Sequence, residues 1–138
     1  MPAGYSGTPL AKKLGYVDGV PVFAVGMPAS VKAEILQTAK PKFVAKAAKG
    51  QTAAHVFATK VKALEAELKK LRPLLAPAGM VWVSWPKKAA AKALGVETDI
   101  TEDTIRKIAL PMGYVDVKVC AVDETWSGLK LMIRKSQR

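Results

Sequence analysis

The run Val61-Lys62-Ala63-Leu64-Glu65-Ala66-Glu67-Leu68-Lys69-Lys70-Leu71-Arg72-Pro73-Leu74-Leu75 places Val61, Leu64, Leu68, Leu71 and Leu75 at three- and four-residue intervals, the period of a helix with one apolar face. Pro77 and Gly79 read as its stop, and Met80-Val81-Trp82-Val83-Ser84 then follows, apolar at every position but the last. A strand apolar on both faces must be covered on both, the condition of an inner strand in a parallel sheet. Helix, short turn, inner strand is the repeating unit of an α/β fold.

The flanking segments extend that pattern. Upstream, Ala53-Ala54-His55-Val56-Phe57-Ala58 predicts a strand running straight into the helix, and Val20-Pro21-Val22-Phe23-Ala24-Val25 predicts another inner strand. Between them Ser30 caps a predicted helix reaching about Ala39, with Val31, Ile35, Leu36 and Ala39 on one face and Pro41 at its end. Phe43-Val44-Ala45 makes a short edge strand among lysines, followed by a loop from Ala47 to Gln51. Thr8 caps a short first helix, with Pro9 in its first turn and Gly15 at its end.

Downstream, a connection rich in Lys and Ala leads to a helix carrying Ile105, Ile108 and Ala109, for which Asp99 and Glu102 supply a capping box and Pro111 and Gly113 the stop. Val115, Val117, Val119 and Ala121 alternate with Asp116, Lys118, Cys120 and Val122 in a fifth strand. Leu129, Leu131 and Ile133 alternate with Lys130, Met132 and Arg134 in a sixth, and Asp123 to Gly128 joins the two as a hairpin.

This order implies one α/β domain over residues 1–138, a three-layer Rossmann-like sandwich with right-handed crossovers. The passage from the leucine helix through Pro77-Ala78-Gly79 into Val81-Trp82-Val83, then a helix and a closing hairpin, resembles the second half of the methyltransferase-like Rossmann fold. By that analogy the sheet is six-stranded and mostly parallel, of order 2-1-3-4-6-5, with the last strand antiparallel. The stretches Gly4 to Gly15, Trp82-Val83-Ser84-Trp85-Pro86-Lys87-Lys88, Thr98-Asp99-Ile100-Thr101-Glu102-Asp103 and Val115 to Lys135 together resemble a bacterial family of uncharacterised proteins, the domain-of-unknown-function family 3052. The match spans nearly the whole chain and is least from Val31 to Gln51. The resemblance implies a small cytoplasmic domain and brings no reaction with it.

Composition narrows the function classes. Nothing approaches the roughly 20 apolar residues of a membrane span, and Met1-Pro2-Ala3-Gly4 begins no signal peptide, so a soluble cytoplasmic protein is expected. Cys120 is the only cysteine, which excludes a disulfide within the chain and Cys-rich metal sites and points to a buried, inert thiol. The net charge of +11 belongs to residues 1–96, which hold 15 Lys and Arg against four acids. Such a surplus attracts polyanions, but 18 of the 22 basic residues are Lys, without the planar fork that reads guanine edges. Lys40, Lys42, Lys46 and Lys49, with Lys60 and Lys62, are therefore expected to give weak, salt-sensitive nucleic-acid binding at most.

Candidate chemistry gathers where the strands end. A methyltransferase of this fold needs a glycine-rich turn after the first strand and an acid after the second. Gly26-Met27-Pro28-Ala29-Ser30 and Ala45-Lys46 stand there instead, so no cofactor is expected, S-adenosylmethionine included. His55 is the only histidine, lies in an apolar strand and has no nucleophile motif beside it, which makes it structural. Asp99, Glu102 and Asp103 could hold a divalent cation, but acids in a first turn serve the helix's own N–H groups and dipole, so no metal site and no catalytic residue is assigned. Trp82 belongs to the core. The loops at the carboxyl ends of the strands are the expected ligand edge. They bring together Tyr5, Ser6, Thr8, Ser84, Trp85, Lys87, Lys88, Asp99, Glu102, Asp103, Asp123, Glu124, Trp126 and Ser127. The favoured function is a non-catalytic domain binding a small molecule or protein partner at this edge. The alternatives are the lysine-rich nucleic-acid face and an enzyme pairing Lys87 or Lys88 with Asp123 and Glu124.

Overall fold

The computed structural model describes residues 8–138, so the candidates Tyr5 and Ser6 lie outside the described residues. In chain order the α-helices and strands are α1 (Leu10–Leu14), β1 (Pro21–Val25), α2 (Ala29–Leu36), β2 (Lys42–Val44), β3 (Gln51–Phe57), α3 (Val61–Leu71), β4 (Leu75–Pro86), α4 (Lys88–Leu94), α5 (Glu102–Ala109), β5 (Tyr114–Ala121) and β6 (Trp126–Ile133). The strands form one six-stranded sheet of order β2-β1-β3-β4-β6-β5, in which β1 to β4 run parallel and β6 pairs antiparallel to both its neighbours. That is the order expected from the resemblance to the methyltransferase-like fold.

Each face of the sheet carries its own core. On one, Leu64, Leu68 and Leu71 of α3 and Ile105 and Ala109 of α5 pack on Ala54, Val56, Val81, Val83, Leu129 and Leu131. Burying side chains of this size stabilises by about 1.5–3 kcal/mol each, so the α3 stripe alone is a large part of what holds the layer. On the other face, Leu10 and Leu14 of α1 and Val31 and Ile35 of α2 pack on Val22, Ala53, Phe57 and Trp82. Trp82 is wholly buried and donates its Nε1–H to the Leu14 carbonyl at 2.8 Å, tying α1 to β4.

Several boundaries differ from the expectation, each for a local reason. The third helix ends at Leu71, next to Pro73, rather than at Pro77; Leu75 opens β4 opposite Gln51 instead of closing the helical stripe. Gly79 is needed where β4 passes Gln51, since a Cβ there would stand 2.8 Å from the Gln51 carbonyl oxygen. The Lys/Ala connection is a helix, α4, with Ala91 as its buried residue. Thr8 and Ser30 are not caps: Pro9 and Pro28 occupy the N-cap positions, Thr8 precedes α1 exposed, and Ser30 lies within α2. Leu36 is exposed rather than facing the core. In β5 the register shifts between Asp116 and Lys118, and Val117 and Val119 are 51% and 47% exposed on this edge strand instead of forming an inward stripe. Among the described residues no helix is long and apolar enough to cross a membrane.

Candidate functional site

Beyond the carboxyl end of β4 lies an open cleft of about 720 Å³. Trp85 to Lys88 form one wall, Thr98 to Asp103 the other, and Ser127 of β6 closes it alongside. Three segments distant in sequence thus meet at one edge, as the topology requires.

Both walls are fastened from behind. The Lys87 N–H donates to the Thr125 carbonyl at 2.7 Å and the Lys87 ammonium to the Asp123 carbonyl at 2.8 Å, so the Lys87 corner and the hairpin lie side by side as expected. The expected charge pairing does not occur. The Asp123 carboxylate instead accepts from the N–H groups of Thr125 and Trp126 at 2.8 and 2.7 Å, closing its own turn, and the exposed Glu124 forms no ion pair.

Across the cleft, Asp99 does not cap α5. Its Oδ1 accepts from Val61 N–H at 2.7 Å, supplying from a distance the cap that α3 lacks locally. The α5 capping box is built by Thr101 and Thr104. Arg106 donates to Glu102 at 3.0 Å, Asp103 at 3.4 Å and Asp116 at 3.0 Å. The hydrogen bond to Asp116 is the main cause holding the guanidinium pKa up and the Asp116 carboxyl pKa down. Glu102 and Asp103 therefore serve an ion-pair network; among the described residues no three metal-ligating side chains are grouped as a metal would require.

What the cleft leaves uncommitted is small and definite. Lys88 is exposed and has no hydrogen bond or ion pair, and the Ser127 hydroxyl has no protein partner. The Trp85 indole N–H also has none. No buried side-chain nitrogen or oxygen among the described residues lacks a partner, so this N–H touches solvent, although Trp85 as a whole is only 7% exposed.

The remaining sequence candidates fall elsewhere. Ser84 is sealed on the opposite face of the sheet, its Oγ 2.7 Å from His55 Nε2, while His55 Nδ1 lies 2.9 Å from the Tyr16 hydroxyl. The ring of His55 stacks on Phe57 at 4.3 Å between centroids. Burial pushes the His55 pKa down to about 3 and the Tyr16 pKa well up, so this line of groups is neutral and closed to any substrate. The structural reading of His55 thus stands, and Ser84 belongs to it. Trp126 packs edge-on against Phe57 at 5.1 Å on that same face and does not meet Trp85, because Trp126 is registered with Pro86 while Trp85 is registered with Ser127. Thr8 does not line the cleft. Cys120 is half-buried, and burial raises its thiol pKa. Sequence reasoning left Thr98, Ile100 and Thr101 out of the site; the signal available was the run of polar residues leading into the α5 cap.

The turn that would approach S-adenosylmethionine in this fold class is Gly26-Met27-Pro28, followed by the uncapped start of α2. Gly26 has φ +66° and presses on β3, where a Cβ would stand 3.0 Å from the Phe57 carbonyl oxygen. After β2 the chain reads Ala45-Lys46.

No family model matches the chain, and no curated protein matches it. Solved structures do. A protein described as a type 11 methyltransferase from Sulfolobus solfataricus superposes with a TM-score of 0.58 at 11% identity, over 90% of this chain and 88% of that one. The fold is methyltransferase-like. The glycopeptide N-methyltransferase MtfA, complexed with sinefungin, gives 0.53 at 10% identity over 94% of both chains. The N-methyltransferase NodS from Bradyrhizobium japonicum gives 0.50 at 12% identity over 86% of both. At such identities the likeness establishes the architecture, which is compatible with a methyltransferase, and leaves the function to be argued from the site.

Proposed function

We propose that this chain is a non-catalytic, methyltransferase-like Rossmann domain of the cytoplasm, a member of the bacterial domain-of-unknown-function family 3052, that binds a small acceptor-rich molecule in the strand-end cleft in a regulatory or accessory role. One observation carries the reading. Trp85, Lys88 and Ser127 line a single cleft and their indole N–H, ammonium and hydroxyl have no protein acceptors, while Lys87, Asp99, Glu102 and Asp103 around them are held in structural bonds. Fixed walls with a few convergent free donors are the usual form of a small-molecule site, and these donors suit a carboxylate or another oxygen-rich ligand. The resemblance of the Trp82 to Lys88 and Thr98 to Asp103 stretches to the family supports the same two walls.

Catalysis by Lys87 with Asp123 is disfavoured because both side chains are spent on backbone groups. Use of S-adenosylmethionine is disfavoured because the turn after β1 offers one glycine packed against Phe57, and Lys46 has the wrong charge for a ribose diol. Titrating isotopically labelled protein with S-adenosylmethionine is expected to leave its amide spectrum unchanged. A molecule that co-purifies with the protein and is identified by mass spectrometry is expected to shift Lys88, Thr98 to Asp103 and Ser127. Micromolar S-adenosylmethionine binding at Gly26 to Pro28 overturns the proposal.

A further inference from the structure

A second groove lies toward the β2 edge, away from the cleft. Parallel strands are ordinarily joined by a crossover of a dozen or more residues, usually a helix, which covers the strand it passes. Here the chain returns from β2 to β3, across β1, in residues 45–50 alone. Gln51 fixes this short path. Its side chain donates to the carbonyls of Pro21 and Ala53 at 3.0 Å and accepts from Ala48 N–H at 3.1 Å, while the N–H groups of Gly50 and Gln51 both reach the Leu74 carbonyl. Val25 is left half-buried beside the buried Phe23, and a groove of about 530 Å³ runs between the crossover and α3.

Its floor includes Phe23, Val25, Leu71 and Leu74, and its rim carries Lys46 and Lys70. Neither lysine makes a hydrogen bond or ion pair, Glu67, the one acid lining the groove, pairs with neither, and the three charges leave the groove net positive. Lys40, Lys42 and Lys49 extend the positive charge, with no acid between residues 40 and 50. Two unpaired ammonium groups above an apolar floor call for a ligand with a planar apolar body and a compact, multiply charged anion. Lysines bind phosphate as point charges, and the volume is that of a small-molecule site.

We propose that this groove binds a nucleoside monophosphate, its base over Val25 and Leu74 and its phosphate between Lys46 and Lys70. The floor side chains carry no hydrogen-bonding group, so one base serves as well as another. Lysine at the position after β2 is then the determinant: it selects a phosphate where an acid would select a free ribose diol.

The test is calorimetric titration of the protein with AMP, UMP, adenosine and inorganic phosphate. AMP and UMP are expected to bind alike, and roughly tenfold or more tightly than adenosine or phosphate alone, the size of one charge-assisted hydrogen bond. Lys46→Glu and Lys70→Glu should each remove that preference with an unchanged melting temperature, and Lys88→Ala, in the separate cleft, should leave it intact. Equal binding of AMP and adenosine, or loss in Lys88→Ala, overturns the proposal. Tight binding of a thymidine oligonucleotide with none of AMP also overturns it, and assigns the lysine edge to single-stranded nucleic acid instead.

Discussion

Ser84 and Trp85 are neighbours in β4 and end in opposite surroundings. Ser84 enters the sealed line with His55 and Tyr16 on the α1 side of the sheet, and Trp85 lines the open cleft on the other. Both look alike in a sequence: polar or amphipathic residues at the end of an apolar strand. What separates them is coverage. The first side is closed over by Tyr16, Phe57 and Trp126, while the second ends at the gap between Lys88 and the Thr98 segment. A residue at a strand end is therefore a site candidate only on the face that the next helix leaves open.

The largest expected effect probes the sealed side. His55 has a folded-state pKa of about 3 against an ordinary value of 6.5, so above pH 6.5 it is neutral folded or unfolded and costs nothing. As the pH falls below 6.5 the unfolded chain takes up a proton that the folded chain refuses, and stability should drop by up to about 5 kcal/mol by pH 3. Urea unfolding across that range reads the slope directly, and a pH-independent midpoint would show that His55 is reached by water. Ser84→Ala comes next. It leaves His55 Nε2 buried without its partner and should cost about 1–3 kcal/mol, whereas a neutral result would place Ser84 with the open side.

How far the two sides were legible follows from the kind of signal each used. The strands themselves were readable because an apolar run marks each of them from Val20 to Ile133, while their order came from the resemblance of the leucine helix, the Pro77-Ala78-Gly79 turn and the closing hairpin to the methyltransferase-like fold. Asp99 was misread because a carboxylate three residues before Glu102 is a sound local cap, while its actual partner, Val61 N–H, lies 38 residues away and leaves no trace in spacing. Helix α4 was missed because Lys88 to Leu94 has one buried residue and no apolar stripe. The parting of Trp85 from Trp126 depended on the β4–β6 register, which shifts every side chain to the other face if moved by one residue.

Smaller effects sharpen the open side. Asp99→Ala should cost about 1 kcal/mol, the worth of a cap, and should lower amide protection at the start of α3 and not of α5; fraying of α5 would restore the local capping box. Lys88→Ala is expected to change stability by less than about 0.5 kcal/mol in thermal melts, as for an exposed side chain without partners, and to weaken binding of the co-purified ligand. A large loss of stability would give Lys88 a structural role and remove it from the free donors of the cleft.

The insertion of β6 between β4 and β5 bears on how the chain reaches this structure. β5 has no sheet to join until β6 exists, so the two must arrive together as a hairpin closed at Asp123. Before that arrival β4 is an unpaired border, with the backbone from Met80 to Pro86 that will pair with β6 still open. Any delay in hairpin docking offers this border to another copy of the same strand, which makes the assembly of β6 the step at which folding and aggregation compete.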